Sequence, residues 1–201
     1  MRLVLASGSQ RRRELLTMCG YDFDIVVSDA DESITETDPE KLVSALALRK
    51  ANEVYSRLRG ENGDDELAVV GSDTVVSFAG SIIGKPKDER DAVRILTMLS
   101  GKTHHVYTGV AVITAEQVQI ECDVTEVTFK ELSESEIEAY VASGEPMDKA
   151  GAYGIQGSFG MFVERIAGNY FTVIGMPLPR LYRMLKSVGV LPKNFQNTPT
   201  L

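Results

Sequence analysis

Several short stretches carry side chains that could do chemistry together. In Ser7-Gly8-Ser9-Gln10-Arg11-Arg12-Arg13, an apolar run gives way to small residues and then to three arginines. Backbone N–H groups at a helix start favour an anion, and short side chains let it come close. Arginines in a first helical turn oppose the helix dipole, so a bound anion would supply the charge that the turn lacks. Lys50, Lys85 after Gly84, and Lys149 in Asp148-Lys149-Ala150-Gly151 each stand beside small residues. With Arg11 and Arg12 they would offset a triphosphate and focus an anionic substrate. Asp73, in Gly71-Ser72-Asp73-Thr74-Val75-Val76, stands between two apolar runs. A carboxylate there suits a metal ligand or a general base. Glu32, in the acidic stretch Asp29-Ala30-Asp31-Glu32, is a candidate second metal ligand. The last stretch, residues 145–157, holds charges, a tyrosine, several glycines and Gln156, whose amide offers both donor and acceptor to the edge of a base. Each stretch also has a plain structural reading: a solvated basic helix face, surface lysines, a turn at Asp73, a solvated loop at Glu32, and a loop capping a sheet at 145–157.

The elements that must position these residues alternate between strand and helix. Apolar runs predict strands at 3–6, 23–27, 67–71 and 74–78, the last two joined at Ser72-Asp73. Helical spacing marks 11–19, closed by Gly20, and a longer helix from the Asp38-Pro39 start signal to about residue 59. An exposed turn at 60–65 follows, and a further helix covers 89–99. The β-rich runs 106–114 and 118–129 pair as a long hairpin. Ser133 and Glu136 form a capping box for a helix to residue 142. Strands at 161–166 and 170–174 and a helix at 177–188 complete one domain over residues 1–190, and 191–201 reads as a mobile tail. The alternation points to an α/β or mixed α+β fold.

Composition narrows the function. With 21 Lys+Arg against 29 Asp+Glu the net charge is −8, which argues against non-specific nucleic-acid binding and against adhesion to an anionic membrane. The longest apolar runs, such as 67–70 and 110–113, are far too short to span a bilayer. Only Cys19 and Cys122 are present, which suits a reduced, cytoplasmic setting. Several familiar motifs fail. The segment 80–86 is one residue short of a Walker A loop and has Pro86 where a metal-binding Ser/Thr belongs; no Gly-x-Gly-x-x-Gly follows a strand; residue 156 is not the glycine of a nucleophile elbow. The segment 13–16 lacks the later carboxylates of a Nudix helix. His104 and His105 point to opposite faces of a strand and cannot share a metal, and both read as turn or strand-surface residues.

Taken in order, these stretches resemble the Maf family of nucleoside triphosphate pyrophosphatases. The resemblance rests on residues 5–12, Leu48-Arg49-Lys50-Ala51, Gly71-Ser72-Asp73-Thr74-Val75, Gly84-Lys85-Pro86 and residues 148–157, with Thr108-Gly109-Val110 and residues 173–177 in support. One departure is Gln10, where the family usually has proline; its loss should cost pre-organisation rather than chemistry. The resemblance implies hydrolysis of a nucleoside triphosphate to monophosphate and pyrophosphate with a divalent metal, Mg²⁺ or Mn²⁺. It implies an elongated central mixed sheet flanked by helices, two lobes with a cleft, related to the inosine triphosphatase fold. It assigns Asp73 as the catalytic acid/base residue, Ser9, Arg12, Lys50 and Lys85 to the phosphates, and Glu32 and Asp73 to the metal. Arg11, Thr74 and Gln156 match the branch acting on dTTP and UTP, rather than the 7-methyl-GTP branch with Trp, Gln and Glu there. Modified pyrimidine nucleotides are possible targets too. A 7-methyl-GTP-type enzyme and a nucleotide-binding cell-division regulator without turnover are the alternatives. The three selector residues argue against the first and the intact candidate catalytic residues against the second. The expected partners are a small nucleoside triphosphate and, at most, a second copy of the chain in a homodimer, with neither nucleic acid nor membrane.

Overall fold

The computed structural model describes residues 1–62 and 66–195. Strand β1 (Arg2–Leu5) is buried over its last three residues, as a strand covered on both faces must be. It leads through helix α1 (Gln10–Met18) to β2 (Asp24–Ile25), then through the long helix α2 (Pro39–Asn62) to β3 (Leu67–Phe78). β1 pairs in parallel with β2 on one side and with β3 on the other. Leu15 and Leu16 of α1 pack on one face of the sheet with Ala68 and Val70. Ala47, Ala51 and Val54 of α2 pack on the other face with Val4, Leu67 and Val69. The chain therefore reverses its winding direction at β1, and open α/β sheets bind ligands beyond the carboxyl ends of their strands at such a reversal.

The remaining elements are β4 (Ser81–Ile83), α3 (Glu89–Leu99), β5 (Thr103–Ile113), β6 (Val118–Phe129), α4 (Glu134–Ala142), β7 (Val163–Ala167), α5 (Tyr170–Ile174) and α6 (Leu178–Ser187), with 3₁₀ turns at Glu145–Asp148, Ala150–Ala152, Ser158–Phe162 and Lys193–Phe195. The sheet is mixed, in the order β2-β1-β3-β5-β6-β7, with β4 added to the free end of β3. β3 and β5 are long enough to join two cores. Their Val70 and Val110 belong to the core under α1 and α6. Their Val76 and Val106 belong to a second core with Leu96, Leu99, Phe129, Tyr140 and Phe159. Helices flank the mixed sheet and two lobes share its long strands, as expected.

Two features of β3 create the space between the lobes. β1 stops pairing at Val70, and β4 begins pairing only at Val76. Residues 71–75 thus have a strand partner on the β5 side alone, which leaves a gap in the sheet with Asp73 at its centre. The second feature is how closely α2 lies on the sheet. A Cβ added at Gly71 would stand 2.2 Å from the Ala47 carbonyl oxygen, and one at Gly109 would stand 2.4 Å from that of Val43. Only glycine admits the helix backbone at that distance.

Several elements differ from the sequence reading. Ser72 and Asp73 do not join two strands: β3 runs through them, because the ladder to β5 continues from Val69 to Ser77. Asp73 is a buried strand residue, not a turn residue. The expected strand at 23–27 shrinks to two residues, since β1 offers partners only at Val4 and Leu5. The expected strand at 170–174 is helix α5. Its aromatic and β-branched residues suggest a strand, but the Asn169 side chain accepts from the Phe171 N–H and starts a helical turn. The expected strand at 161–166 begins as a 3₁₀ turn and pairs only from Val163. Strand β4 was not foreseen; it folds back through Ala79 and Gly80, both at positive φ (+49° and +79°), in a two-residue hairpin. α2 extends three residues past its expected end to Asn62, and residues 63–65 of the expected turn lie outside the described residues. In the tail, Lys193 N–H donates to the Gly20 carbonyl at 2.9 Å and its ammonium pairs with Asp22 at 3.2 Å. Residues 196–201 lie outside the described residues.

His104 and His105 do face opposite ways, but His104 is not at the surface. It is wholly buried, edge-on to Phe129, with Nε2 2.9 Å from the Tyr153 hydroxyl. Burial pushes its pKa from 6.5 down to about 4. The unfolded chain takes up this proton near pH 6.5 and the folded chain only near pH 4, so stability falls as pH drops through that window. The full loss is about 3 kcal/mol, from the usual conversion of a pKa shift. His104→Gln keeps a polar partner for Tyr153 and does not titrate. Its urea midpoint should change less than that of the parent between pH 7 and pH 5, and an equal change in both proteins would refute the assignment.

Candidate active site

The gap in the sheet opens into a cleft of about 500 Å³. All nine residues that the resemblance assigned to the site line it: Ser9, Arg11, Arg12, Glu32, Lys50, Asp73, Thr74, Lys85 and Gln156. A contiguous hollow of about 430 Å³ continues toward residues 6–8 at the end of β1 and shares Ser9, Arg11, Arg12, Glu32, Lys50, Lys85 and Asp148 with the first. The shared wall is thus the charged one. Thr74, Tyr153 and Gln156 belong to the first hollow alone.

Adjacent residues on a strand point to opposite faces, so Asp73 and Thr74 address different helices. Asp73 meets α2: its Oδ1 lies 2.7 Å from Lys50 Nζ, and both side chains are only 12% exposed. The same ammonium lies 3.0 Å from Glu32 Oε1, in the loop before α2. Asp73 Oδ2 has no hydrogen-bond partner among the described residues. Thr74 meets α1: Arg12 Nη2 donates to Thr74 Oγ1 at 3.2 Å, Nε donates to the Gly175 carbonyl at 2.9 Å, and Nη1 to Ser7 Oγ at 3.3 Å. These bonds fix the guanidinium and leave two of its five N–H donors unused. Burial pushes the Arg12 pKa below its ordinary value, and nearby Asp73 acts in the opposite direction. A half-buried, fixed cation of this kind favours an anion.

The rim of the cleft is built differently. Arg11 lies 3.5 Å from Asp148, whose other oxygen holds Lys149 at 2.6 Å. Lys149 Nζ also donates to the Glu145 carbonyl. Lys149 therefore lines the cleft but is bonded to its own loop, whereas Lys85 makes no ion pair or side-chain hydrogen bond among the described residues. The loop is held by Glu145, which accepts from Tyr140 and Ser158, and by the Gly151 N–H, which donates to the Gly84 carbonyl at 3.0 Å. This brings Lys85 and Gln156 to the same opening. Gln156 is exposed and its amide has no partner among the described residues. The sequence reading did not single out Asp148, Glu145 or Tyr153 individually. Their partners lie on other elements, and only the composition of the 145–157 stretch signalled them.

The lining carries five cationic side chains against three carboxylates, in a chain of net charge −8. Such a cleft concentrates anions. Two carboxylates, Asp73 and Glu32, reach a single cation, the Lys50 ammonium. No group of three or more His, Cys, Asp or Glu side chains able to hold a metal occurs among the described residues. The donor set therefore fits an ion that takes one or two protein carboxylates and completes its shell with phosphate oxygens and water, as Mg²⁺ does.

Fold and site together define a mixed α/β protein with a cationic cleft at the carboxyl ends of its parallel strands. The chain belongs to the Maf family: the Maf-like protein family matches residues 2–188. It is 48% identical over 190 residues to a dTTP/UTP pyrophosphatase of Bacillus cereus (strain AH820), covering 94% of this chain and 96% of that one. The same figures hold for a dTTP/UTP pyrophosphatase of Bacillus anthracis (strain CDC 684 / NRRL 3495). Among solved structures, the Staphylococcus aureus Ham1 protein aligns with a TM-score of 0.42 and 9% identity, over 64% of this chain and 72% of that one.

Proposed function

We propose that this protein hydrolyses dTTP and UTP to the nucleoside monophosphate and pyrophosphate. The observation that carries the reading is the convergence, in one cationic cleft, of nine residues that the sequence leaves scattered from Ser9 to Gln156. The relatives named as dTTP/UTP pyrophosphatases support the choice of substrate.

In this reading Arg12, Lys50 and Lys85 hold the phosphate chain and offset the charge of departing pyrophosphate. Ser9 and the first N–H groups of α1 offer hydrogen bonds to the same chain. Asp73 Oδ2 takes the proton of the attacking water, while Lys50 holds Oδ1 and fixes the carboxylate. Glu32 and Asp73 would hold a divalent cation, which would supply charge stabilisation at the phosphates. Arg11, Thr74 and Gln156 read the base. Among the described residues no helix is long and apolar enough to cross a membrane. Cys19 and Cys122 are free, and burial raises both thiols, Cys122 to about 12, so neither is poised to react. Free cysteines suit a reducing compartment, and we place the enzyme in the cytoplasm on that ground.

The test is pyrophosphate release from dTTP, UTP, CTP, GTP, 7-methyl-GTP and ITP, with Mg²⁺, with Mn²⁺ and with chelator. Metal-dependent turnover led by dTTP and UTP is expected. Turnover led by 7-methyl-GTP would overturn the base assignment. Nucleotide binding without product would overturn the enzyme reading.

A further inference from the structure

Thr108 lies on β5, its side chain is wholly buried, and it does not line the cleft. Its hydroxyl oxygen stands 2.7 Å from the Thr172 carbonyl oxygen and 3.0 Å from Thr74 Oγ1. A carbonyl oxygen has no proton to give, so the contact with Thr172 uses the Thr108 proton. A hydroxyl has only one. The contact between the two threonines must then use the proton of Thr74, which donates to Thr108. Arg12, a donor only, occupies one lone pair of Thr74 Oγ1 at 3.2 Å. Thr74 has thus turned its proton inward, away from the cleft, and can meet a ligand only as an acceptor. The far end of this chain is anchored as well. The Thr172 hydroxyl donates to Asp123 Oδ2 at 2.5 Å, and Arg180 Nε donates to Asp123 Oδ1 at 2.7 Å.

We infer that Thr108 sets the base preference of the cleft by holding Thr74 as a pure hydrogen-bond acceptor, so that Thr74 takes the N3–H of uracil or thymine and opposes the unprotonated N3 of cytosine. The inference rests on the nucleotide reading above. Uracil and thymine carry a proton on N3, whereas cytosine carries a lone pair there. Two acceptors facing each other leave both unpaired and desolvated. Polar mismatches of this kind discriminate more strongly than an added methyl group. Thr108 touches no ligand in this scheme, so it is a positioning residue acting through Thr74.

The test compares kcat/KM for UTP, CTP and 3-deaza-CTP, in which N3 is replaced by C–H, in the parent protein, Thr108→Val and Thr108→Ser. The parent should prefer UTP over CTP, and should also prefer 3-deaza-CTP over CTP, because the opposing lone pair is gone. Thr108→Val removes the acceptor for the Thr74 proton, which is then free to point into the cleft. The UTP-to-CTP ratio should fall about tenfold, chiefly through KM, and Thr108→Ser should restore it. A Thr108 that is merely structural would lower all three substrates alike. An unchanged ratio in Thr108→Val, or equal use of CTP and 3-deaza-CTP by the parent, would overturn the inference. If Thr108→Val does not fold, the parent's comparison of CTP with 3-deaza-CTP decides alone. If the parent releases no pyrophosphate from UTP, the pyrophosphatase reading fails separately. The preference is then read as Kd for α,β-imido analogues of UTP and CTP, and equal Kd values, or no binding of either, overturn the inference.

Discussion

Asp73→Asn should lower pyrophosphate release from dTTP and UTP by about 10³-fold, the scale of a lost general base. The substitution is nearly isosteric, and the amide oxygen can still accept from Lys50, which lies 2.7 Å from Asp73 Oδ1. The fold should therefore survive, with an unfolding midpoint close to that of the parent. Measured in chelator, without the divalent cation that Asp73 would help to hold, nucleotide affinity should hold or improve, because a negative charge has left a cleft that binds an anion. This pairing of outcomes separates chemistry from binding, since an interaction made only in the transition state lowers kcat and spares the ground state. Turnover near the parent level would remove Asp73 from the mechanism. A parallel loss of nucleotide binding in chelator would make it a nucleotide-holding residue instead. Lys50 should not behave in the same way. It contacts both Asp73 and Glu32, so its removal leaves two carboxylates facing the phosphates, and both affinity and turnover should fall.

Gly71→Ala is the second large effect, and it acts first on stability. The added methyl carbon would stand 2.2 Å from the Ala47 carbonyl oxygen and 2.8 Å from the Ala51 nitrogen. Both are helix backbone atoms and cannot turn aside as a side-chain tip would. α2 must lift from the sheet, with a cost of about 3 kcal/mol for overpacking of this kind. The melting temperature should fall by about 6–12 °C for a chain of this size. Activity should fall as well, because α2 carries Lys50 and β3 carries Asp73, and a displacement of one against the other breaks their contact. Gly84→Ala is the matched control. Nothing lies within 4 Å of a Cβ there, so stability should be unchanged. Equal melting temperatures for Gly71→Ala and the parent would refute the close-packing argument.

Local chemistry made much of the chain legible. The helix α3 (Glu89–Leu99) covers the residues expected of it, and the capping box that starts α4 appears where its signal puts it, because a cap acts within four residues. The hairpin of β5 and β6 likewise follows from two β-rich runs and a short polar turn. Where the reading failed, distant partners decided. Residues 170–174 have strand composition, but among the described residues no strand pairs with them, and a cap at Asn169 wins. Ser72-Asp73 interrupts an apolar run and so reads as a joint, but β5 pairs straight through it. His104 reads as a surface residue because its partners Phe129 and Tyr153 are 25 and 49 positions away.

The same division holds for the site. From sequence alone came the identity of the groups able to do the chemistry: cations beside small residues, Asp73 in an apolar run, an amide in a glycine-rich stretch. These are properties of residue type and close spacing, and the peptide chain carries them whatever its fold. Only the tertiary structure settled that β1 and β4 leave residues 71–75 unpaired on one side, that Lys50 joins Asp73 to Glu32, and that Lys149 is taken up by its own loop while Lys85 has no side-chain partner among the described residues. It also brought Thr74, Thr108 and Thr172 into one hydrogen-bonded chain. Each of these depends on contacts between elements far apart in the chain, and such contacts arise only when burial of the apolar faces of α1 and α2 brings the strands between them into register.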